Sequence, residues 1–311
     1  MRVAVVDIGS NSTRLLLADV EQRDGTVSPL VKRSEVTRLG EGVDARGSLS
    51  EDAIGRVLRT LRDYRGEIDS HGCEANLAVL TAAARDASNG DAFAARVREE
   101  FSLDARVLSG DEEAQLTFLG AMSGRESVSP SQWPAVVVDI GGGSTEFVIG
   151  QDHTAGFHTS LPVGVVRMSE RHISSDPPAQ PELEALSLDT RATFEQALPA
   201  AERASVRRAI AVAGTATSAA AIDQRLEPYD PARVEGHVLS DVTVQAMLAR
   251  LAGMREDERR AVAGLHPDRA PTIVAGLVIL REVMSAFALT QVSVSEHDVL
   301  FGGALRLAGI D

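Results

Sequence analysis

A chain of 311 residues that is 44% hydrophobic and 24% charged can fill two cores of about 150 residues each, which predicts a two-domain globular protein and excludes a disordered or fibrous one. Its formal net charge of −14 argues against nucleic acid or an anionic membrane surface as the main partner. A lone cysteine, Cys73, excludes an internal disulfide and a cysteine-based zinc site, and a lone lysine, Lys32, cannot complete a GxxxxGK[ST] loop.

Asp7 interrupts the first apolar run too early for a signal-peptide core. The longest apolar stretch, Ile273 to Leu280, meets Arg281 and Glu282 well short of the roughly 20 residues a membrane span needs. A cytoplasmic protein is expected, and a polyanionic substrate would have to arrive with divalent cations or meet a local arginine cluster.

The first predicted element is a strand-turn-strand at 3–17, VAVVDIGSNSTRLLL, and it recurs at 135–149, AVVVDIGGGSTEFVI. The copies align without a gap, Asp7 on Asp139 and Arg14 on Glu146. One copy alone reads equally well as an ordinary hairpin. Two copies in register suit a pair of phosphate loops, because such turns gather backbone N–H groups beside a carboxylate. The candidate phosphate contacts are Ser10, Asn11, Ser12 and Thr13 in the first turn, and Gly141, Gly142, Gly143, Ser144 and Thr145 in the second.

Between the copies, Ser50 is placed to cap a helix that carries Ile54, Val57, Leu58, Leu61 and Ile68 on one face. A strand over Asn76 to Thr81, a helix over 89–100, a strand over Ala105 to Leu108 and a helix from about Asp111 to Ala121 follow. The polar stretch 123–134 is the expected domain boundary. Beyond the second hairpin come a strand from Gly156 to Leu161, a helix running to about Leu198, a strand from Ala209 to Ala213, a buried helix from Asp268 to Phe287 and a closing helix over 298–309. Strands alternating with helices predict mixed sheets with helices packed on them.

Two acid pairs could carry chemistry. Ser109 and Glu112 form an S-x-x-E capping box, which occupies Glu112 and leaves Glu113 able to accept a proton from water. The plainer alternative, two first-turn acids favoured by the helix dipole, stays open. Asp139 and Glu146 flank the glycine turn, and a strand-turn-strand returns both carboxylates to one end of the sheet, where hard oxygen ligands suit Mg²⁺. Arg14, Arg85, Arg167 and Arg269 stand near these motifs and could clamp phosphate bidentately, although each taken singly reads as a surface residue.

Taken together, DIGSNSTRLL at 7–16, RLGEG at 38–42, TAAARDA at 81–87, SGDEEAQLTFLGA at 109–121, DIGGGSTEFVIG at 139–150, LPVGVVRMSE at 161–170, VAGTATSAAA at 212–221 and DRAPTIVAG at 268–276 cover nearly the whole chain. They resemble the exopolyphosphatase and guanosine pentaphosphate phosphohydrolase family of the actin, sugar-kinase and heat-shock ATPase superfamily. The resemblance implies an α/β, two-lobed actin-like (ribonuclease H-like) fold with mixed sheets, packed helices and an active site in the interlobe cleft. The lobes would be 1–122 and 123–298, with 299–311 packing back on the first.

It further implies Mg²⁺-dependent hydrolysis of the terminal phosphoanhydride of inorganic polyphosphate, with Mn²⁺ as a substitute metal. Glu113 matches the catalytic base, Asp139 and Glu146 the metal-binding acids, and Asp7 a third, water-mediated ligand. Arg14 and Arg85 lie inside family motifs, which favours them as phosphate ligands. Guanosine pentaphosphate is the alternative substrate. A small-metabolite kinase and a non-catalytic alarmone sensor are the rival classes, disfavoured by Glu113 and by the intact acid set. A homodimer is compatible with all of these.

The chain departs from the family pattern at two places. Asp268 stands where relatives carry glycine, which weakens a phosphate role for Arg269, and Glu296 to Gly302 lacks the usual Leu-Arg-Glu-Gly. His297-Asp298 resembles the metal pair of another phosphohydrolase fold, but the further ligands that fold needs are not present in the sequence. Longer relatives append a helical region after the lobes, so a preference for short polyphosphate is expected here.

Overall fold

The computed structural model describes residues 1–123, 130–151 and 154–310. The chain divides into two compact units, Met1–Glu126 together with His297–Asp311, and Ser127–Glu296. Of the stretch read as a boundary, residues 124–129 lie outside the described residues.

In the first unit β1 (Arg2–Ile8) and β2 (Ser12–Glu21) form the first hairpin, and β3 (Thr26–Val36), β4 (Ala75–Leu80) and β5 (Ala105–Val107) complete a sheet of order β3-β2-β1-β4-β5. β1 is antiparallel to β2 and parallel to β4. Helices α1 (Glu51–His71), α2 (Ala82–Arg85), α3 (Gly90–Phe101) and α4 (Gly110–Met122) alternate with the strands. The Ser50 cap forms as predicted, its hydroxyl accepting from Ala53 N at 3.2 Å, and Ile54, Val57, Leu58, Leu61 and Ile68 are buried on one face of α1. Thr26, Ser28, Arg33, Ser34 and Glu35 take most of the exposed positions of β3, with Pro29 and Leu30 also exposed, and hydropathy alone does not reveal this strand.

The second unit has a sheet of order β10-β11-β9-β6-β7-β8, built from β6 (Ala135–Ile140), β7 (Thr145–Gln151), β8 (Thr154–Leu161), β9 (Arg208–Val212), β10 (Val238–Ser240) and β11 (Gln291–Val294). Its run β8-β7-β6-β9-β11 repeats the order and strand directions of the first sheet. The internal sequence repeat is therefore also a repeat of topology. The main helices are α5 (Val165–His172), α6 (Gln180–Ala197), α7 (Ala213–Gln224), α8 (Asp241–Ala252) and α9 (Ile273–Ala286).

The helix predicted from Asp268 begins instead at Ile273, after a 3₁₀ turn at Pro267–Arg269. Pro271 explains the delay, since it has no N–H to donate to a helical ladder, although Ala270 before it keeps helical backbone angles. The final helix, α10 (Val299–Leu307), belongs to the first unit and covers β1 and β2 through Leu300, Phe301, Ala304 and Leu305. It meets α4 backbone to backbone. A Cβ added at Gly302 would lie 1.9 Å from Leu116 O, so only glycine permits that approach. Among the described residues no helix is long and apolar enough to cross a membrane.

Candidate active site

Both repeats close their hairpins in the same way. Gly9 N donates to Ser12 O at 3.0 Å in the first, and Gly141 N donates to Ser144 O at 2.9 Å in the second. The carbonyls of each turn then capture the family motif that follows. Ser10 O accepts from Gly40 N at 2.8 Å, and Asn11 O from Thr37 and Arg38 N at 3.1 and 2.9 Å. Gly141 O accepts from Val165 N and Gly142 O from Val166 N, both at 2.9 Å, which seats the start of α5 on the glycine turn. A Cβ at Gly164 would lie 2.4 Å from Gly142 O. The glycine in LPVGVVR is thus required by close backbone approach.

Register decides what each hairpin presents. Asp7 lies opposite Arg14, and Asp139 opposite Glu146. In the first hairpin Asp7 Oδ2 accepts from Arg14 Nε at 2.9 Å and Nη2 at 2.6 Å, and Arg14 Nη1 pairs with Asp298. Burial pushes the Asp7 carboxyl above the ordinary carboxylate range, and Arg14 opposes that shift. Asp7 Oδ1 is buried with no hydrogen-bond partner.

Two buried acids stand opposite each other in the second hairpin, where Glu146 Oε1 accepts from Ser160 Oγ at 2.7 Å. Like charges placed directly opposite on neighbouring strands destabilise a sheet unless a cation joins them. A hard divalent cation fits this donor set of Asp139 and Glu146. Among the described residues no group of three or more His, Cys, Asp and Glu is assembled as a metal cage.

The capping box on α4 forms as read from the sequence. Glu112 Oε2 accepts from Ser109 N and Ser109 Oγ, both at 2.9 Å, while Glu112 N donates to Ser109 Oγ at 3.2 Å. These bonds, the backbone one first, hold the exposed Glu112 carboxyl below its usual range. Its neighbour Glu113 turns inward, 8% exposed, and its Oε2 accepts from Arg85 Nη1 at 2.8 Å. The same Nη1 lies 3.2 Å from Leu108 O. A carboxylate with a fixed orientation is therefore set beside a guanidinium, inside one unit.

Three of the expected phosphate contacts are engaged within the fold. Thr13 and Thr145 are fully buried; the Thr13 hydroxyl shares a 2.9 Å bond with that of Thr37, and Thr145 Oγ1 donates to Val163 O at 2.5 Å. Both hydroxyls pin neighbouring segments to the hairpins. Arg14 directs its fork to Asp7 and Asp298. Thr145→Val should accordingly cost about 1–2 kcal/mol, by leaving Val163 O unsatisfied, yet leave KM for substrate unchanged; thermal melts and steady-state kinetics check this.

Ser10, Asn11, Ser12 and Gly141 to Gly143 are partly exposed at the two turns, and Ser144 is buried at 8%. Arg269 lies against Gly214, where a Cβ would be 1.4 Å from its Nη1. The Gly214 to Thr217 segment is the first turn of α7.

Sequence reading missed the two roles of Asp298. It caps α10 by accepting from Leu300 N at 3.0 Å and also holds Arg14, while His297 stacks on Phe301 with ring centroids 3.9 Å apart. An aspartate immediately ahead of the apolar run VLFGGALRL is an N-cap signal that would have identified the first of these roles.

The chain is 37% identical to exopolyphosphatase 2 of Mycobacterium tuberculosis over 319 aligned residues, covering 99% of each. Two solved structures resemble it closely. A Ppx/GppA family member from Aquifex aeolicus has a TM-score of 0.82 and 31% identity, covering 99% of this chain and 97% of that one. An exopolyphosphatase from Cytophaga hutchinsonii has a TM-score of 0.89 and 25% identity, covering 100% and 99%. The family model matches residues 20–306, and the chain belongs to the Ppx/GppA phosphatase family.

Proposed function

We propose that this protein is an exopolyphosphatase that hydrolyses the terminal phosphoanhydride of inorganic polyphosphate. The observation that carries the reading is the 2.8 Å contact between Arg85 Nη1 and the buried Glu113 Oε2. A phosphate group bound by that guanidinium lies beside a carboxylate able to take a proton from water.

In this reading Glu113 accepts one proton as the water oxygen bonds to the terminal phosphorus, the bridging P–O bond breaks, and orthophosphate leaves a chain one unit shorter. Arg85 and the partly exposed turn residues Ser10, Asn11, Ser12 and Gly141 to Gly143 orient the phosphates. Asp139 and Glu146 would hold Mg²⁺, which when bound neutralises charge on the phosphate oxygens. Glu112 stays in its cap and takes no part. The lone cysteine, Cys73, fits a reducing cytoplasm, which we assign as its compartment.

The test is phosphate release from short polyphosphate, long polyphosphate, guanosine pentaphosphate and ATP. Polyphosphate should turn over fastest, EDTA should abolish release, and Mg²⁺ or Mn²⁺ should restore it where zinc does not fully substitute. Preference for guanosine pentaphosphate would move the assignment to the family's other substrate. Undiminished turnover in EDTA would remove the metal from the reading.

A further inference from the structure

Helices α6, α8 and α9 of the second unit border a groove of about 550 Å³ that uses none of the candidate site residues. That volume lies within the roughly 300–1,000 Å³ that holds small-molecule ligands. Leu183, Leu248 and Val278 make its walls apolar, Glu184 and Ser187 contribute polar groups, and Arg281 is the cation among its lining residues.

Arg281 combines a place on the groove lining with a buried, unsatisfied nitrogen. Among the described residues it forms no ion pair, and its Nε is buried without a hydrogen-bond partner. Glu282 beside it in sequence and Glu184 on the lining are engaged elsewhere. Glu282 accepts from Ser187 Oγ at 2.6 Å and from Arg191 Nε and Nη2 at 3.0 and 3.2 Å, and Glu184 accepts the Gln180 amide at 3.1 Å. An N–H that loses water without gaining a partner costs stability, so each such group in a folded protein calls for an explanation.

We propose that this groove is a binding site for a small amphipathic carboxylate, its single negative charge on Arg281 and its hydrocarbon body along Leu183, Leu248 and Val278. The charge balance selects that class. Arg281 offers one positive charge to one carboxylate, too little for a phosphate chain, while the apolar walls reward CH₂ groups that an inorganic anion lacks. No aromatic ring lines the groove, so nothing there would stack a nucleobase.

Calorimetric titration of the full chain with hexanoate, hexylamine and pyrophosphate tests this, on wild type, Arg281→Met and Arg281→Lys. Hexanoate should bind wild type and lose about tenfold or more in affinity in Arg281→Met, the worth of one charge-assisted hydrogen-bonded contact. Arg281→Lys should recover part of that loss. Hexylamine should not bind. Because methionine keeps the bulk and removes an unpaired charge, Arg281→Met should melt no lower than wild type and release phosphate at the wild-type rate.

Four results would overturn the proposal. They are hexanoate binding equally well to Arg281→Met, hexylamine binding as well as hexanoate, pyrophosphate displacing hexanoate in an Arg281-dependent manner, and Arg281→Met melting well below wild type. The last would mean that Arg281 is held within the fold.

Discussion

Glu113→Gln should lower kcat for phosphate release by about 10²–10⁴-fold, the usual worth of a general base, whereas Glu112→Gln should keep most of the activity. The two residues are adjacent in sequence and opposite in environment. Glu112 is exposed and spends one carboxylate oxygen on Ser109 N and Oγ. Glutamine still offers that oxygen, so this variant should lose at most about 1 kcal/mol of stability.

Glu113 is buried and faces Arg85. Glutamine there keeps the size and still accepts from Arg85 Nη1, but it cannot take a proton from water. The fall should therefore appear in kcat, with KM and the melting temperature little changed. Both variants are to be assayed together on short polyphosphate at saturating Mg²⁺. Mild effects in both would mean that the base lies elsewhere, and an inactive Glu112→Gln beside an active Glu113→Gln would reverse the assignment.

The second large effect is expected at the second hairpin. Asp139→Asn should raise the Mg²⁺ concentration needed for half-maximal activity by more than about tenfold, since even the groups that merely orient metal ligands are worth about 10–100-fold in metal affinity. Asp139 and Glu146 stand directly across the ladder from each other, and removing one charge relieves their repulsion. A metal ligand differs in this from a structural acid, whose loss destabilises the metal-free protein. An unchanged Mg²⁺ titration together with a lower melting temperature in EDTA would show that Asp139 serves the fold.

The two copies of the hairpin mark the limit of what the chain alone reveals. Their shared Asp-Ile-Gly and Ser-Thr residues are local signals. A β-branched run, a glycine turn and a second apolar run dictate a hairpin whatever surrounds them, and the same is true of the Ser50 cap, the apolar face of α1 and the Ser109-Glu112 capping box. Gap-free alignment of the copies also implied their common topology. From these residues the α/β class, the family and the separation of Glu112 from Glu113 followed by themselves.

What the alignment could not settle is the use of each matched position. Arg14 and Glu146 occupy the same place in the repeat, yet Arg14 neutralises Asp7 and Asp298 while Glu146 adds to the charge of Asp139. The deciding partner, Asp298, is 284 residues away from Arg14 in sequence and arrives only when α10 packs on β1. Thr13 and Thr145 likewise look like loop residues until Thr37 and Val163 close over them. Strand β3 was invisible because an edge strand with charged side chains carries no hydropathy alternation to read. Local pattern determines which elements form, because turn geometry and apolar periodicity act over a few residues. Whether a polar side chain faces a substrate or a partner in the interior depends on contacts between segments distant in the chain, and those exist only after the sheets and helices have packed.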